Sequence, residues 1–202
     1  MVDVMAGVLN VLLGQNSGAA SASISFTASA VSASDLTTYT FASQSLGSAA
    51  TGRKIIVGVG GSQTSGVAIS SVTVAGVPAT SIATNVAASG AFNRSALYIA
   101  DVPTGTTGDV VVTFASGVLR AGVGVWAAYN LNSSTATSTG TSLSNPYSSS
   151  LTVNAGGIAV CYAFTYFASG LPTHSYSGLT KDFDQDMESS VLPQSGGSAN
   201  FA

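Results

Sequence analysis

The sequence predicts an all-β protein, a β-sandwich with a short N-terminal helix or arm. Strand-like runs recur at short intervals from residue 38 onward. Turn residues of suitable chemistry separate them. After residue 15 no segment keeps a 3.6-residue period over the roughly ten residues of a typical helix. The composition fits the same class. Only 6% of the 202 residues are charged, against roughly 25% in an ordinary soluble domain. Ser, Thr, Ala and Gly together fill 107 positions.

Taken in order, residues 1–14 place Val2, Met5, Leu9, Leu12 and Leu13 at spacings of three and four. That spacing is one face of a short helix, which Gly14 would stop. Ser17 to Ser34 turns into Ser and Ala with one brief alternation, Ile24-Ser-Phe26, and reads as an extended arm with one strand. The expected division is therefore an anchoring helix or arm over 1–35 and a β-sandwich domain over 36–202.

Strands are expected at Thr38–Ala42, Lys54–Gly60, Ala68–Val74, Ala79–Ala83, Ser95–Asp101, Asp109–Ala115, Leu119–Tyr129, Ser150–Val153, Ile158–Phe167, Ser175–Phe183 and Ser189–Leu192. Eleven in so short a stretch is sandwich spacing. Ala75-Gly76 offers positive φ for a tight hairpin, and Pro103 to Gly108 and Asn154 to Gly157 supply the other clear turns. The Ser- and Thr-rich stretch from Asn132 to Ser150 reads as a long polar loop, and Ser198–Ala202 as a strand just beginning.

Several apolar runs carry Gly or Ala at alternate positions, as in Val57-Gly-Val-Gly60 and Val123-Gly-Val-Trp126. Glycine in a strand forfeits packing but lets another layer or a large side chain come close. The small residues are expected to face a neighbouring sheet or subunit, while Trp126, Phe114, Phe164 and Tyr98 fill one interior.

The same composition excludes functions. Five Lys and Arg, scattered along the chain, cannot form the basic patch that phosphate neutralisation requires. The longest nearly apolar stretch falls short of the ~18 residues of a spanning helix, so neither nucleic acid nor a membrane is expected as a partner. Residues 1–14 lack the basic region of a secretion signal, which makes a cytoplasmic start the expectation. One His and one Cys offer few groups for acid–base work near neutral pH or for a soft metal, which argues against an enzyme.

The concentrated charge is Lys181-Asp-Phe-Asp-Gln-Asp-Met-Glu188. In a strand the period of two would put Asp182, Asp184, Asp186 and Glu188 on one face. Asp182, Asp184 and Asp186 are candidate Ca²⁺ ligands, because hard oxygens at alternate positions open a calcium loop. Met187 at the sixth position and Pro193 at the twelfth depart from that loop. The competing reading is an edge strand whose charges prevent edge-to-edge pairing.

His174 follows Pro172 and reads as a surface or hydrogen-bonded histidine, and Cys161 as a small core hydrophobe. Asp35, Asp101 and Asp109 could meet the acidic cluster as a glycosidase pair, but Asp101 and Asp109 look like turn-forming residues. No Gly-x-Ser-x-Gly elbow or phosphate-loop motif is present.

The run from Thr38 to Asn130 contains Gly52-Arg-Lys-Ile-Ile-Val-Gly-Val-Gly-Gly61, Ile69-Ser-Ser-Val-Thr-Val-Ala-Gly-Val-Pro-Ala79, Ala96-Leu-Tyr-Ile-Ala-Asp-Val-Pro-Thr-Gly105 and Gly108-Asp-Val-Val-Val-Thr-Phe114. It resembles virion structural proteins of tailed bacteriophages, over roughly half the chain and without a catalytic signature. The resemblance implies a jelly-roll-like sandwich in the head, tail or fibre, synthesised in the host cytoplasm, non-enzymatic, and partnered with itself and other virion proteins. A trimer is the expectation by analogy with displayed phage proteins. An apolar, charge-poor surface is safest when buried in a symmetric oligomer. Within it Val2, Met5, Leu9, Leu12 and Leu13 would dock on a neighbour. The alternative is a glycan-binding adhesin or receptor-binding module of a fibre, using exposed aromatics and the acidic segment with Ca²⁺.

Overall fold

The computed structural model describes residues 7–13, 21–62, 67–86, 93–142, 150–151, 153, 155–165, 174–187 and 192–201. Runs rich in Ile, Val and aromatic residues make the central strands, and small or polar residues make several of the others. The strands are β1 (Gly7–Leu13), β2 (Ser23–Ser32), β3 (Leu36–Ser45), β4 (Lys54–Ser62), β5 (Ile69–Val74), β6 (Val77–Pro78) and β7 (Thr80–Val86). The second half adds β8 (Asn93–Asp101), β9 (Thr107–Val118), β10 (Arg120–Tyr129), β11 (Ser138–Ser142), β12 (Ile158–Phe164), β13 (Thr180–Asp186) and β14 (Pro193–Asn200). Among the described residues there is no helix.

Three antiparallel sheets result. The central sheet runs β2-β10-β4-β8-β7, an outer sheet runs β3-β9-β5-β6, and a third runs β11-β1-β12-β14-β13. In the first two, β2 pairs with β10, β3 with β9, β4 with β8 and β5 with β6. Early strands thus pair with late ones in nested order, and β2-β10-β4-β8 faces β3-β9-β5-β6. This is jelly-roll topology, with β7 added at one edge. The β5–β6 hairpin turns at Ala75 and Gly76, whose φ angles of 50° and 80° are left-handed at both positions, as the favoured two-residue hairpin turn requires.

The third sheet makes the sandwich three layers deep. One core lies between the outer and central sheets and includes Tyr39, Phe41, Val57, Tyr98, Phe114 and Val125. The other lies between the central and third sheets and includes Ile56, Leu97, Trp126, Val160, Tyr162, Phe164 and Phe183. Because the central sheet is covered on both faces, Ile55–Ser62 and Ala121–Ala128 are buried without interruption. The expectation of one interior shared by Trp126, Phe114, Phe164 and Tyr98 is corrected. Trp126 and Phe164 belong to the second core, Phe114 and Tyr98 to the first.

The glycines explain how the layers approach. A Cβ on Gly58 would stand 2.6 Å from Tyr162 Cγ, and one on Gly60 would stand 3.0 Å from Phe164 Cγ. A Cβ on Gly124 would meet the Phe183 ring at 2.6 Å, and one on Gly196 the Trp126 ring at 2.5 Å. Aromatic rings of each sheet occupy the hollows left by glycines in the other, so the small alternate residues face a neighbouring sheet.

Five expectations change. Residues 150, 151 and 153, expected within a strand, lie in none, and residues 189–191 of the strand expected before Pro193 lie outside the described residues. Residues 7–13 form strand β1 and not a helix: the i, i+3, i+4 spacing of Leu9, Leu12 and Leu13 yields to pairing with β11 and β12 on either side, a tertiary override of a local period. Residues 23–32, expected to be mostly arm, run as a full strand along β10. The stretch 132–150 contains β11, which pairs with β1. Ser198 to Asn200 end β14, and do not begin a strand. Val2 and Met5 lie outside the described residues.

Candidate functional site

Most residues singled out for chemistry fall on the third sheet or on the segment beside it. There, among the described residues, β13 is an edge strand paired with β14 alone. Its register shifts between Lys181 and Phe183, leaving Asp182 without a Cα partner, while Asp184 lies opposite Ser195 and Asp186 opposite Pro193. A bulge interrupts the period of two, so the single acidic face expected from sequence is broken. Asp182 Oδ2 accepts a hydrogen bond from Trp126 Nε1 at 2.7 Å. Asp184 pairs with Lys181 Nζ at 2.9 Å. Asp186 Oδ1 accepts from the Leu192 amide at 3.3 Å. Glu188 lies outside the described residues. Among the described residues no three His, Cys, Asp or Glu side chains gather to hold a metal ion.

Residues 174–179 cover the outward face of β12 and β14. His174 Nε2 lies 3.2 Å from Thr165 Oγ1, and its backbone carbonyl accepts from Lys181 Nζ at 3.3 Å. Burial pulls the imidazole pKa below its usual value; Asp184 acts in the opposite direction and Lys181 adds to the fall. His174 Nδ1 is buried with no hydrogen-bond partner among the described residues. Tyr176 and Ser195 share a 2.6 Å hydroxyl hydrogen bond, and burial drives the Tyr176 phenol far above its ordinary range. Cys161, opposite Gly197 on β14, is a buried thiol outside any disulfide. An imidazole facing a threonine hydroxyl is a structural contact, in keeping with a hydrogen-bonded histidine; nucleophilic catalysis needs an oriented base against a nucleophile.

Beside this cluster an open groove of about 380 Å³ is lined by Ser150, Leu151, Ala159, Ser177, Leu179 and Phe201, among others. Its lining joins the apolar Leu151, Val153, Ala159, Leu179 and Phe201 to the hydroxyls of Ser150 and Ser177. Such a lining suits a neutral ligand that presents both an apolar face and hydroxyls.

The remaining acids are dispersed. Asp35 pairs with Arg120 Nη1 at 2.6 Å, Asp101 with Lys54, and Asp109 Oδ1 accepts from the Ser43 amide at 2.8 Å. Asp35 precedes β3, whereas Asp109 bonds near its other end. Eight residues of strand separate them by roughly 26 Å, well beyond the roughly 10 Å at most that a glycosidase pair spans.

Sequence reasoning missed the polar groups that hold the layers together. Gln194 is wholly buried on β14. Its Oε1 accepts from Tyr162 Oη at 2.6 Å, and its Nε2 donates to Ala30 O at 3.2 Å and Gln185 Oε1 at 3.0 Å. Asn200 imitates a strand neighbour of β2, accepting from the Ile24 amide at 2.7 Å and donating to the Ile24 carbonyl at 3.2 Å. At the end of the jelly roll Arg53 is fully buried and donates to the carbonyls of Val102, Gly47, Thr104 and Gly105 at 2.7–3.0 Å. No local pattern around Arg53 distinguishes it from Lys54, whose charge reaches Asp101.

Against family models, curated proteins and solved structures, the chain matches none.

Proposed function

We propose that the chain is a non-enzymatic structural protein of a tailed-bacteriophage virion, a unit that builds or decorates the capsid, tail or fibre by homo-oligomerisation. The observation that carries this reading is the jelly roll with a third sheet laid over it, in a chain of 6% charge. Jelly rolls serve viral shells and lectins alike, so the fold alone is an analogy. The surface chemistry narrows it. The outer sheet presents Thr38 and Thr40 beside Thr113 and Ser71, neutral hydroxyls that pack on a neighbour without the desolvation penalty of charge. Among the described residues the edge strands β2, β3, β6, β7, β11 and β13 each have one paired side, and edges of this kind accept further strands. The test is co-sedimentation of the purified protein with particles that lack it. Stoichiometric binding supports the reading, and no binding by a protein that stays monomeric overturns it.

The groove beside Phe201 favours a second reading, a glycan-binding module of a fibre. A lining that mixes apolar side chains with the hydroxyls of Ser150 and Ser177 suits a sugar ring, which has an apolar face and hydroxyl edges. A glycan array separates the two, since the structural reading expects no saturable carbohydrate ligand.

A further inference from the structure

We propose that β1 is an exchangeable strand: in the assembled protein the slot between β11 and β12 is filled by residues 7–13 of a second copy of this chain. This rests on the homo-oligomer reading above and adds the surface through which it forms.

β1 is the one strand of the third sheet that comes from the N-terminal end of the chain. The other four come from residues 138–200. It lies inside the sheet, antiparallel to a strand on each side, with Val8 to Leu12 in register with Ser142 to Ser138, and Gly7 to Leu13 in register with Phe164 to Ile158. Both neighbours depend on it. Among the described residues β11 pairs with no other strand, and β12, whose seven residues are all buried, would lose one side of its ladder. Unpaired buried backbone groups are strongly disfavoured. A copy that sends its own β1 elsewhere must therefore receive another, and residues 7–13 of a second copy restore the same register.

The connection is not so short that it ties β1 to its own sheet. Leu13 is opposite Ile158, Ile158 is opposite Asn200, and Asn200 is hydrogen-bonded to Ile24 at the start of β2. Two strand spacings, roughly 10 Å, separate Leu13 from Asn200. Residues 14–20 span up to roughly 24 Å when extended, so the home position leaves chain to spare. Exchange of a terminal element between identical subunits remakes the same contacts and costs little beyond the hinge. Donation of one strand into a neighbour's sheet is an established mode of assembly. Leu9, Leu12 and Leu13, marked by sequence for docking on a neighbour, would do so as a strand.

The chain's single cysteine provides the test. Asn10 is in register with Cys161, and Cα atoms directly opposite in an antiparallel pair lie roughly 4.5–5.5 Å apart, inside the range a disulfide bridges. The full chain carrying N10C is fractionated by sedimentation velocity, oxidised, and run on a denaturing gel without reductant. Exchange predicts that oligomer fractions give covalent multimers that return to single chains on reduction. Oligomers whose disulfides are all within one chain overturn the exchange and leave the homo-oligomer reading intact. Both thiols remaining reduced overturn the register on which the proposal stands. A chain that sediments as a monomer at every concentration removes the oligomer reading itself. If N10C does not fold, V8C with A163C in a C161S background tests the same slot through the next pair in register.

Discussion

Gly58→Ala is the perturbation that most severely tests the layered packing. Gly58 is buried in β4, the middle strand of the central sheet. An added Cβ would stand 2.6 Å from Tyr162 Cγ and 2.9 Å from Tyr162 Cβ, against the roughly 3.5–4.0 Å of a normal carbon contact. The ring cannot swing away. Its hydroxyl is bonded to Gln194 Oε1 at 2.6 Å and to the Gly122 carbonyl at 3.3 Å, and β12 is buried along its whole length. Relief requires the third sheet to lift by about 1 Å. Overpacking of this kind costs about 1–3 kcal/mol, offset by about 0.5 kcal/mol because alanine loses less backbone entropy on folding than glycine. The expected net loss is about 1.5 kcal/mol.

Gly117 is the control. Its φ is not left-handed and the nearest atom to an added Cβ is Thr37 Oγ1 at 3.8 Å, so Gly117→Ala should stabilise by about 0.5 kcal/mol. Urea unfolding followed by the fluorescence of Trp126, the only tryptophan, reads both. In a Tyr162→Ala background the Gly58→Ala penalty should largely disappear. A Gly58→Ala midpoint equal to or above that of Gly117→Ala would refute the packing of these two sheets through their glycines.

Other outcomes follow from the same contacts. Arg53→Met leaves four carbonyls without their donor and should cost about 3 kcal/mol in urea unfolding, with Arg53→Lys about half as damaging because an ammonium cannot span the fork. His174 has a lowered folded pKa, so the unfolded chain binds the extra proton first. Stability should hold above about pH 6.5 and fall as pH drops below it towards the folded pKa, and His174→Gln should flatten the melting temperature between pH 7 and pH 5. Asp182→Ala should lose about 1–2 kcal/mol through the Trp126 hydrogen bond, while Asp184→Ala, whose partner Lys181 is exposed, should change by less than about 0.5 kcal/mol. With the three carboxylates of β13 engaged separately, calcium should leave the melting temperature unchanged; a rise reversed by EDTA would mean they converge after all.

The all-β class was legible because it rests on period and turn chemistry. Val57 to Gly61 and Val123 to Trp126 announce strands, and Ala75-Gly76 announces the hairpin that appears. The depth of the stack was half legible. Alternating glycines signal a close neighbour, but whether Trp126 and Phe114 share a core depends on which sheet covers which face, and a continuous apolar strand reads the same either way. β1 was misread because seven residues satisfy both periods, and only β11 and β12, more than a hundred residues away, decide between them. The bulge at Asp182 had no local signal either. It shifts Asp182 off the face shared by Asp184 and Asp186, so the site residues drawn from a strict period of two separate. Arg53, Gln194 and Asn200 act through carbonyl and amide groups, which every sequence contains.

The most direct measurement is the mass of the folded chain in solution. Sedimentation equilibrium across micromolar concentrations should show a closed homo-oligomer, a small integer multiple of 19.9 kDa, that also binds particles lacking it. A single species of 19.9 kDa at every concentration, with no binding to particles, would contradict a protein whose role is to assemble.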